Sequence, residues 1–236
     1  MSIPKINDFI IFEDDNYIVI NKPPNIATLE DREQSYNILS LAVTYHPDAQ
    51  VCHRLDKETS GALAIAKHPE AYKSLAVQFE KRQVKKHYHA VVEGVHDFQE
   101  RVVDLNILKL SGGIVKLDRE GKDAKTVFDT IQAFKGYTLI NCQPITGRMH
   151  QIRIHLTNLN APIVGDEVYG GSPFYLSKIK PKYKLKKWTE ELPLIQRFAL
   201  HAKQLRFENL DGTEIVADAE YPKDFRVLVK QLEKNS

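Results

Sequence analysis

The chain has 236 residues, 42% hydrophobic and 27% charged, which is ordinary for a soluble globular protein with one sizeable core. No apolar run approaches the roughly 20 residues that cross a bilayer, and Met1–Asp8 lacks the basic and apolar regions of a signal peptide, so no membrane partner and a cytoplasmic location are expected. The formal net charge of +2 is too small to establish a nucleic-acid partner, and Cys52 and Cys142, in apolar contexts, read as reduced, buried side chains and not as a disulfide framework.

Tyr17–Asn21 reads as a buried strand after the Asp14-Asp15-Asn16 turn, ended by Pro23 and Pro24, which cannot continue a strand ladder. Ile38–Tyr45 reads as a helix stopped near Pro47, and Pro69–Arg82 as a helix whose apolar stripe is Tyr72, Leu75, Ala76 and Phe79. From Lys86 to Gly94 the period changes to two, with Tyr88, Ala90 and Val92 on one strand face. Strands follow at Val102–Leu110, Gly113–Leu117, Thr126–Phe134 and Tyr137–Cys142, then a helix at Arg148–Leu159 with Ile152, His155, Leu156 and Leu159 inward. Strands near Leu205 and Ile215 precede a closing helix, Pro222–Leu232, with Phe225, Leu228, Val229 and Leu232 buried. Central strands with dispersed helices predict an α+β fold on a mixed, largely antiparallel sheet. The expected organisation is a single domain over 1–236, with a basic, aromatic surface insert at about 171–197.

Two basic clusters stand out. One is Lys81, Arg82, Lys85 and Lys86. The other is Lys178, Lys180, Lys182, Lys184, Lys186 and Lys187, interleaved with Tyr175, Tyr183 and Trp188. Phosphates attract the lysines and bases stack on the rings, although a solvated lysine-rich loop has the same composition.

The stretch with the strongest chemical content is Cys52–Lys67. His53-Arg54-Leu55-Asp56 leads into Thr59-Ser60-Gly61 and then the apolar Ala62–Ala66. A charge between two apolar runs is costly to bury unless paired; the turn and the apolar strand behind it point to a carboxylate held on a fixed loop. A second polar concentration is Arg148, His150, Gln151, Arg153 and His155, which open a helix beside Ile152, Leu156 and Leu159.

His53-Arg54-Leu55-Asp56-x-x-Thr59-Ser60-Gly61 resembles the signature of the RluA-type pseudouridine synthases. Asn21-Lys22-Pro23 resembles that family's opening element, Lys86-x-Tyr88 its tyrosine strand, Thr146–Gly170 its arginine-histidine-glutamine segment, and Phe198–Ala202 its late helix-to-strand element. The elements occur in family order over roughly residues 10 to 225.

The resemblance implies that Asp56 is the essential carboxylate and that Arg153 pairs with it, an opposite charge at ~4–6 Å favouring the ionised form. It implies that Tyr88 stacks on the target uracil and that Arg54 enters the RNA helix where the flipped base left. Lys22, Arg148, His150 and Gln151 match motif positions and take supporting roles. The implied reaction breaks the bond from C1′ to N1, turns the uracil and joins C1′ to C5, with the carboxylate attacking C1′ or removing a C2′ proton. It needs no cofactor and no metal. The spacings His87-x-His89 and His150-x4-His155 lack a supporting Cys-x-x-Cys or His-Glu-x-x-His pattern. The implied partner is structured RNA, ribosomal or transfer, bound by a monomer.

Two departures stand against the family pattern. Pro24-Asn25 replaces the usual Ala-Gly, where Asn tolerates left-handed backbone, and Met149 replaces a small polar residue near His150. With few residues ahead of Asn21, no N-terminal S4 domain is expected, and target selection is expected within the catalytic domain. The alternative function is a non-catalytic RNA-binding or RNA-folding module, which has no evident use for Asp56, Tyr88 and Arg153 together.

Overall fold

The computed structural model describes residues 3–30, 34–180, 183–185 and 189–236. The first half carries β1 (Ile10–Glu13), β2 (Tyr17–Lys22), α1 (Ile38–Tyr45), β3 (Gln50–Val51), β4 (Ser60–Ala66), α2 (Pro69–Glu80) and β5 (Lys85–Glu93). Then come β6 (Arg101–Asp104), β7 (Ile107–Lys109), β8 (Val115–Leu117), β9 (Lys125–Phe134), β10 (Tyr137–Pro144) and α3 (Gln151–Asn158), and finally β11 (Leu200–Glu208), β12 (Glu214–Asp218) and α4 (Lys223–Lys234). The fold is α+β, with pairings that are mostly antiparallel. The chain divides into two compact units, Met1–Tyr88 with His201–Glu220, and His89–Leu200 with Tyr221–Ser236.

In the first unit the strand order is β1-β2-β4-β11, with β3 against β4 and β12 against β11. β2 and β4 are buried along almost their whole length, and the two-residue period explains why. Tyr17, Val19, Ala62, Ala64 and Ala66 join Ala71 and Leu75 of α2 in one cluster, while Ile18, Ile20, Leu63 and Ile65 join Ile38, Leu41 and Ala42 of α1 in another. Both faces of these strands are therefore covered by a helix, and the strands read as continuous apolar runs. The small alanines of β4 face α2 and the larger Leu63 and Ile65 face α1.

The stripe expected on α2 is rotated. Ala71 and Leu75 are fully buried, Phe79 packs against them, and Tyr72 is 37% exposed. A tyrosine tolerates a wet position, so its hydrophobic score misplaces the face. α2 ends at Glu80, just ahead of Arg82, whose φ is +60°.

β4 and β11 run parallel, with His201 opposite Ser60 and Ala202 opposite Gly61. A Cβ added at Gly61 would meet the Ala202 carbonyl oxygen at 2.2 Å, and φ there is +114°. Only glycine fits at the end of the Thr59-Ser60-Gly61 turn.

The second unit carries the strand order β5-β10-β9-β6 and a separate β7–β8 hairpin. The single strand expected over Val102–Leu110 is split between β6 and β7, which pair with different partners, β9 and β8. The closing helix buries Phe225, Leu228, Val229 and Leu232, the stripe read from the sequence. α3 begins at Gln151, three residues later than expected, because His150 takes a left-handed conformation with φ of 52°.

In the 171–197 segment, Phe174, Ile179 and Ile195 are buried, so this stretch is anchored in its unit by apolar side chains as well as carrying exposed Lys178, Lys180 and Lys184. Arg197 is buried and grips Asp224 of α4 through Nε at 2.8 Å and Nη2 at 3.2 Å. Lys182, Lys186, Lys187 and Trp188 lie outside the described residues. Of the cysteines, Cys142 is fully buried, whereas Cys52 is only partly so; burial raises the Cys52 thiol to about 12.

Candidate active site

Asp56 sits in the turn between β3 and β4. Its carbonyl accepts from the Thr59 N–H at 3.0 Å, closing a tight turn that ends at the buried Thr59 and Ser60. The residues on either side of Asp56 are held by the segment after β2. Lys22 is fully buried and its ammonium donates to three carbonyls, those of Pro23 at 2.9 Å, Ile26 at 2.8 Å and Lys57 at 3.1 Å. A buried lysine is costly unless its donors are satisfied, and here satisfying them ties Lys57, next to Asp56, to the β2 exit. The Asn25 N–H donates to the same Lys57 carbonyl at 2.9 Å, from a left-handed backbone with φ of 65°. The turn expected to survive the change from Gly to Asn therefore does so. On the other side, the Thr28 hydroxyl meets both the N–H and the carbonyl of Leu55.

Leu55 is buried, Arg54 is exposed and Asp56 is half-buried, so the loop turns one side chain inward, one outward and one to the rim. Tyr88, in the first half of β5, packs against the cluster that contains Leu55 and Ile20. Burial raises its phenol well above the ordinary 10, and the Asp56 carboxylate raises it further. Tyr88 is a neutral donor at physiological pH, and it feels the charge on Asp56.

Two histidines of this unit have defined tautomers, the half-buried His53 and the buried His201. The His53 ring stacks on Phe79 with centroids 4.6 Å apart, and its Nε2 accepts from the Ala64 N–H at 3.0 Å. Burial lowers its pKa from 6.5 to about 3, with a smaller contribution from the Lys86 ammonium. Burial in turn brings Lys86 itself down to about 8. The unfolded chain takes up a proton on His53 near 6.5, while the folded chain resists it to about 3, so stability is full above 6.5 and is lost as pH falls through that window. Denaturant midpoints at about pH 7 and pH 5 should show a larger loss for wild type than for His53→Gln; equal losses would contradict this assignment. The second histidine, His201, is fully buried. Its Nε2 donates to the Ala219 carbonyl at 3.1 Å, so its Nδ1 accepts from the Ser60 hydroxyl at 2.9 Å.

The second unit presents the other sequence-marked residues. The Gln151 side chain, at the first position of α3, accepts from the Thr146 hydroxyl at 2.7 Å and from the Arg148 N–H at 3.0 Å. Its amide donates to the Lys125 carbonyl at 2.9 Å and to Thr126 Oγ1 at 3.0 Å. All its polar atoms are engaged in fixing the β10–α3 turn to β9. Arg148 is half-buried and donates through Nε to the Asp123 carbonyl at 2.9 Å. His150 Nδ1 lies 2.9 Å from the Tyr169 hydroxyl. That hydroxyl also accepts from the Val115 N–H at 3.0 Å, leaving it one proton to share with the imidazole. Met149 packs into the apolar cluster of Ile107, Val115, Ala124 and Tyr169, so its departure from a small polar residue fills a hydrophobic site.

Arg153 is 5% exposed and lies in α3. Its guanidinium forms a bidentate pair with Asp166, Nε to Oδ2 at 2.6 Å and Nη2 to Oδ1 at 2.7 Å. The rings of Tyr169 and Phe198 flank it, at 4.8 Å and 4.3 Å from the guanidinium carbon. Sequence reading did not single out Asp166 as a partner. The available signal was an acidic residue in Pro162-Ile163-Val164-Gly165-Asp166, an otherwise apolar turn that ends buried.

Asp56, Tyr88, Arg54 and Lys22 thus fall in the first unit, and Arg148, His150, Gln151 and Arg153 in the second. Comparison with known proteins bears on what such a set does. The family described as RNA pseudouridylate synthase matches residues 16–158. An uncharacterized RNA pseudouridine synthase of Zymomonas mobilis is 33% identical over 94% of the chain and 98% of its own length. The ribosomal large subunit pseudouridine synthase C of Salmonella typhi is 33% identical over 94% of the chain and 68% of its own length. Synthase D of Zymomonas mobilis is 34% identical, covering 94% and 72%. Among solved structures, human RNA pseudouridylate synthase domain containing 4 superposes with a TM-score of 0.71 at 26% identity, covering 97% of this chain and 94% of that one.

Proposed function

Because the chain belongs to the RNA pseudouridylate synthase family, and is an RNA pseudouridine synthase that isomerises uridine in RNA, we propose that Asp56 is the carboxylate that carries the reaction and that ribosomal RNA is the substrate. The observation that supports Asp56 most is its setting: a half-buried carboxylate on a turn whose flanking backbone groups are tied down, close enough to Tyr88 to raise that phenol further. Such a group is aimed before the substrate arrives, which lowers the cost of reaching the reacting geometry.

The steps follow from the chemistry. The target uridine leaves its stack, at a cost of about a few kcal/mol. Arg54, exposed beside Asp56, fills the gap in the RNA, and Tyr88 stacks on the extruded uracil. The Asp56 carboxylate attacks C1′, or takes the C2′ proton, as the bond from C1′ to N1 breaks. The uracil turns and C5 bonds to C1′, displacing the Asp56 ester on the first route or with return of the proton to C2′ on the second; the C5 proton is then lost and N1 takes up a proton. Lys22, Arg148, His150 and Gln151 hold backbone and side chains in place and take supporting roles.

The names of synthases C and D, which act on the large ribosomal subunit, favour ribosomal over transfer RNA as the substrate class. The test is tritium release from unmodified ribosomal and transfer RNA labelled at uracil C5. Release from the ribosomal pool is expected; release from the transfer RNA pool alone would overturn the substrate assignment, and none from either would overturn the activity.

A further inference from the structure

We propose that Thr28 is a positioning residue for the Asp56 carboxylate. The inference rests on the reading of Asp56 as the reacting group. Thr28 is 3% exposed and 28 positions before Asp56, yet its hydroxyl is hydrogen-bonded twice to one residue. Oγ1 donates to the Leu55 carbonyl at 2.9 Å and accepts from the Leu55 N–H at 3.2 Å. The N–H belongs to the peptide joining Arg54 to Leu55, and the carbonyl to the peptide joining Leu55 to Asp56. One hydroxyl therefore sets the orientation of both peptide planes, and the second sets the direction in which the Asp56 side chain leaves the backbone.

The clamp is itself mounted firmly. The Thr28 carbonyl accepts from the Leu39 N–H at 3.1 Å, and the Ala27 carbonyl from the Ile38 N–H at 2.9 Å, so the segment is fastened to the first turn of α1. On the far side of Asp56, Lys57 is held by Lys22 and Asn25. Within the loop, Leu55 buries its side chain, and its two backbone polar groups share the Thr28 hydroxyl as partner. A misplacement of about 1 Å at a reacting group can cost on the order of 10²-fold in rate, so this hydroxyl acts on turnover through the aim of Asp56 and leaves RNA recognition alone.

The experiment compares wild type, Thr28→Val, Thr28→Ser and Asp56→Asn on ribosomal RNA transcribed with uridine tritiated at C5. Thr28→Val keeps the shape and removes the hydroxyl. Its kcat should fall by about 10- to 100-fold with KM for the RNA unchanged, and Thr28→Ser should restore most of it. A Thr28→Val variant with wild-type kcat, or one whose loss lies in KM, would overturn the proposal. Should Thr28→Val fail to fold, Thr28→Cys against Thr28→Ser asks the same question, since the two are close in size and differ in hydrogen-bonding strength. The cysteine variant should turn over markedly more slowly; equal rates would overturn the proposal. If Asp56→Asn is inactive and the Thr28 variants are unaffected, only the role of Thr28 fails. If Asp56→Asn keeps wild-type release, the reading of Asp56 fails first.

Discussion

Asp56→Asn is expected to abolish tritium release from C5-labelled RNA, by at least about 10³-fold, the scale on which a reacting acid-base or nucleophilic group contributes. The amide matches the carboxylate in shape and can neither attack C1′ nor accept the C2′ proton at a useful rate. The turn should survive, because the contacts that hold it are made to backbone: Thr59 to the Asp56 carbonyl, Lys22 and Asn25 to Lys57, and Thr28 to Leu55. RNA affinity should also survive, since phosphate contacts supply most of it. Filter binding at fixed salt, run beside the release assay, separates the two. Retained turnover would place the chemistry elsewhere; loss of binding together with turnover would make Asp56 a recognition residue.

The second large effect concerns Asp166. Its pair with Arg153 is among the most buried charge pairs of the described residues, with side chains 1% and 6% exposed. Removing one partner of a buried pair strands the other and costs about 3–5 kcal/mol. In Asp166→Ala the guanidinium would remain between the rings of Tyr169 and Phe198 without the Asp166 carboxylate. That variant should lose stability on this scale in urea unfolding. The double change Arg153→Met with Asp166→Leu should recover most of the loss, because it removes the charge and keeps the volume. A loss of less than about 1 kcal/mol for Asp166→Ala would mean that the pair is open to water.

These two sites also show what the sequence made legible. α4 was readable because an amphipathic period of 3.6 has one buried answer, Phe225, Leu228, Val229 and Leu232; α1 was readable only as a helix stopped near Pro47, and its buried face of Ile38, Leu41 and Ala42 is seen in the structure. The strand character of β2 and β4 was readable from their apolar runs, whereas the division of β2 into a face toward α1 and a face toward α2 was not, because both faces are apolar. Tyr72 misled the face of α2 because a ring with a hydroxyl scores as apolar and sits comfortably at the surface. The residues of the candidate site were visible as short motifs. Their partners were not: Thr28 with Leu55, Ser60 with His201, Thr126 with His155 and Arg153 with Asp166 are contacts between segments far apart along the chain or across a turn of irregular backbone. Single-sequence periodicity carries no information about such pairs.

The start of α3 gives the same lesson at a single residue. The motif from Arg148 to His155 looks helical throughout, but His150 adopts a left-handed conformation, and the Gln151 side chain accepts from the Arg148 N–H to cap the turn. What reads as one helical run is a structured turn followed by a helix, and the turn displays Arg148 and His150.

An isomerase of uridine keeps the base on the RNA and releases none of it. The most direct measurement is nucleoside analysis of unmodified ribosomal RNA after incubation with the protein. Pseudouridine should appear in proportion to the uridine lost, with no free uracil formed. Free uracil with an abasic site would make the protein a hydrolase, and an unchanged nucleoside profile with RNA still bound would make it a binding module; either result would contradict the account.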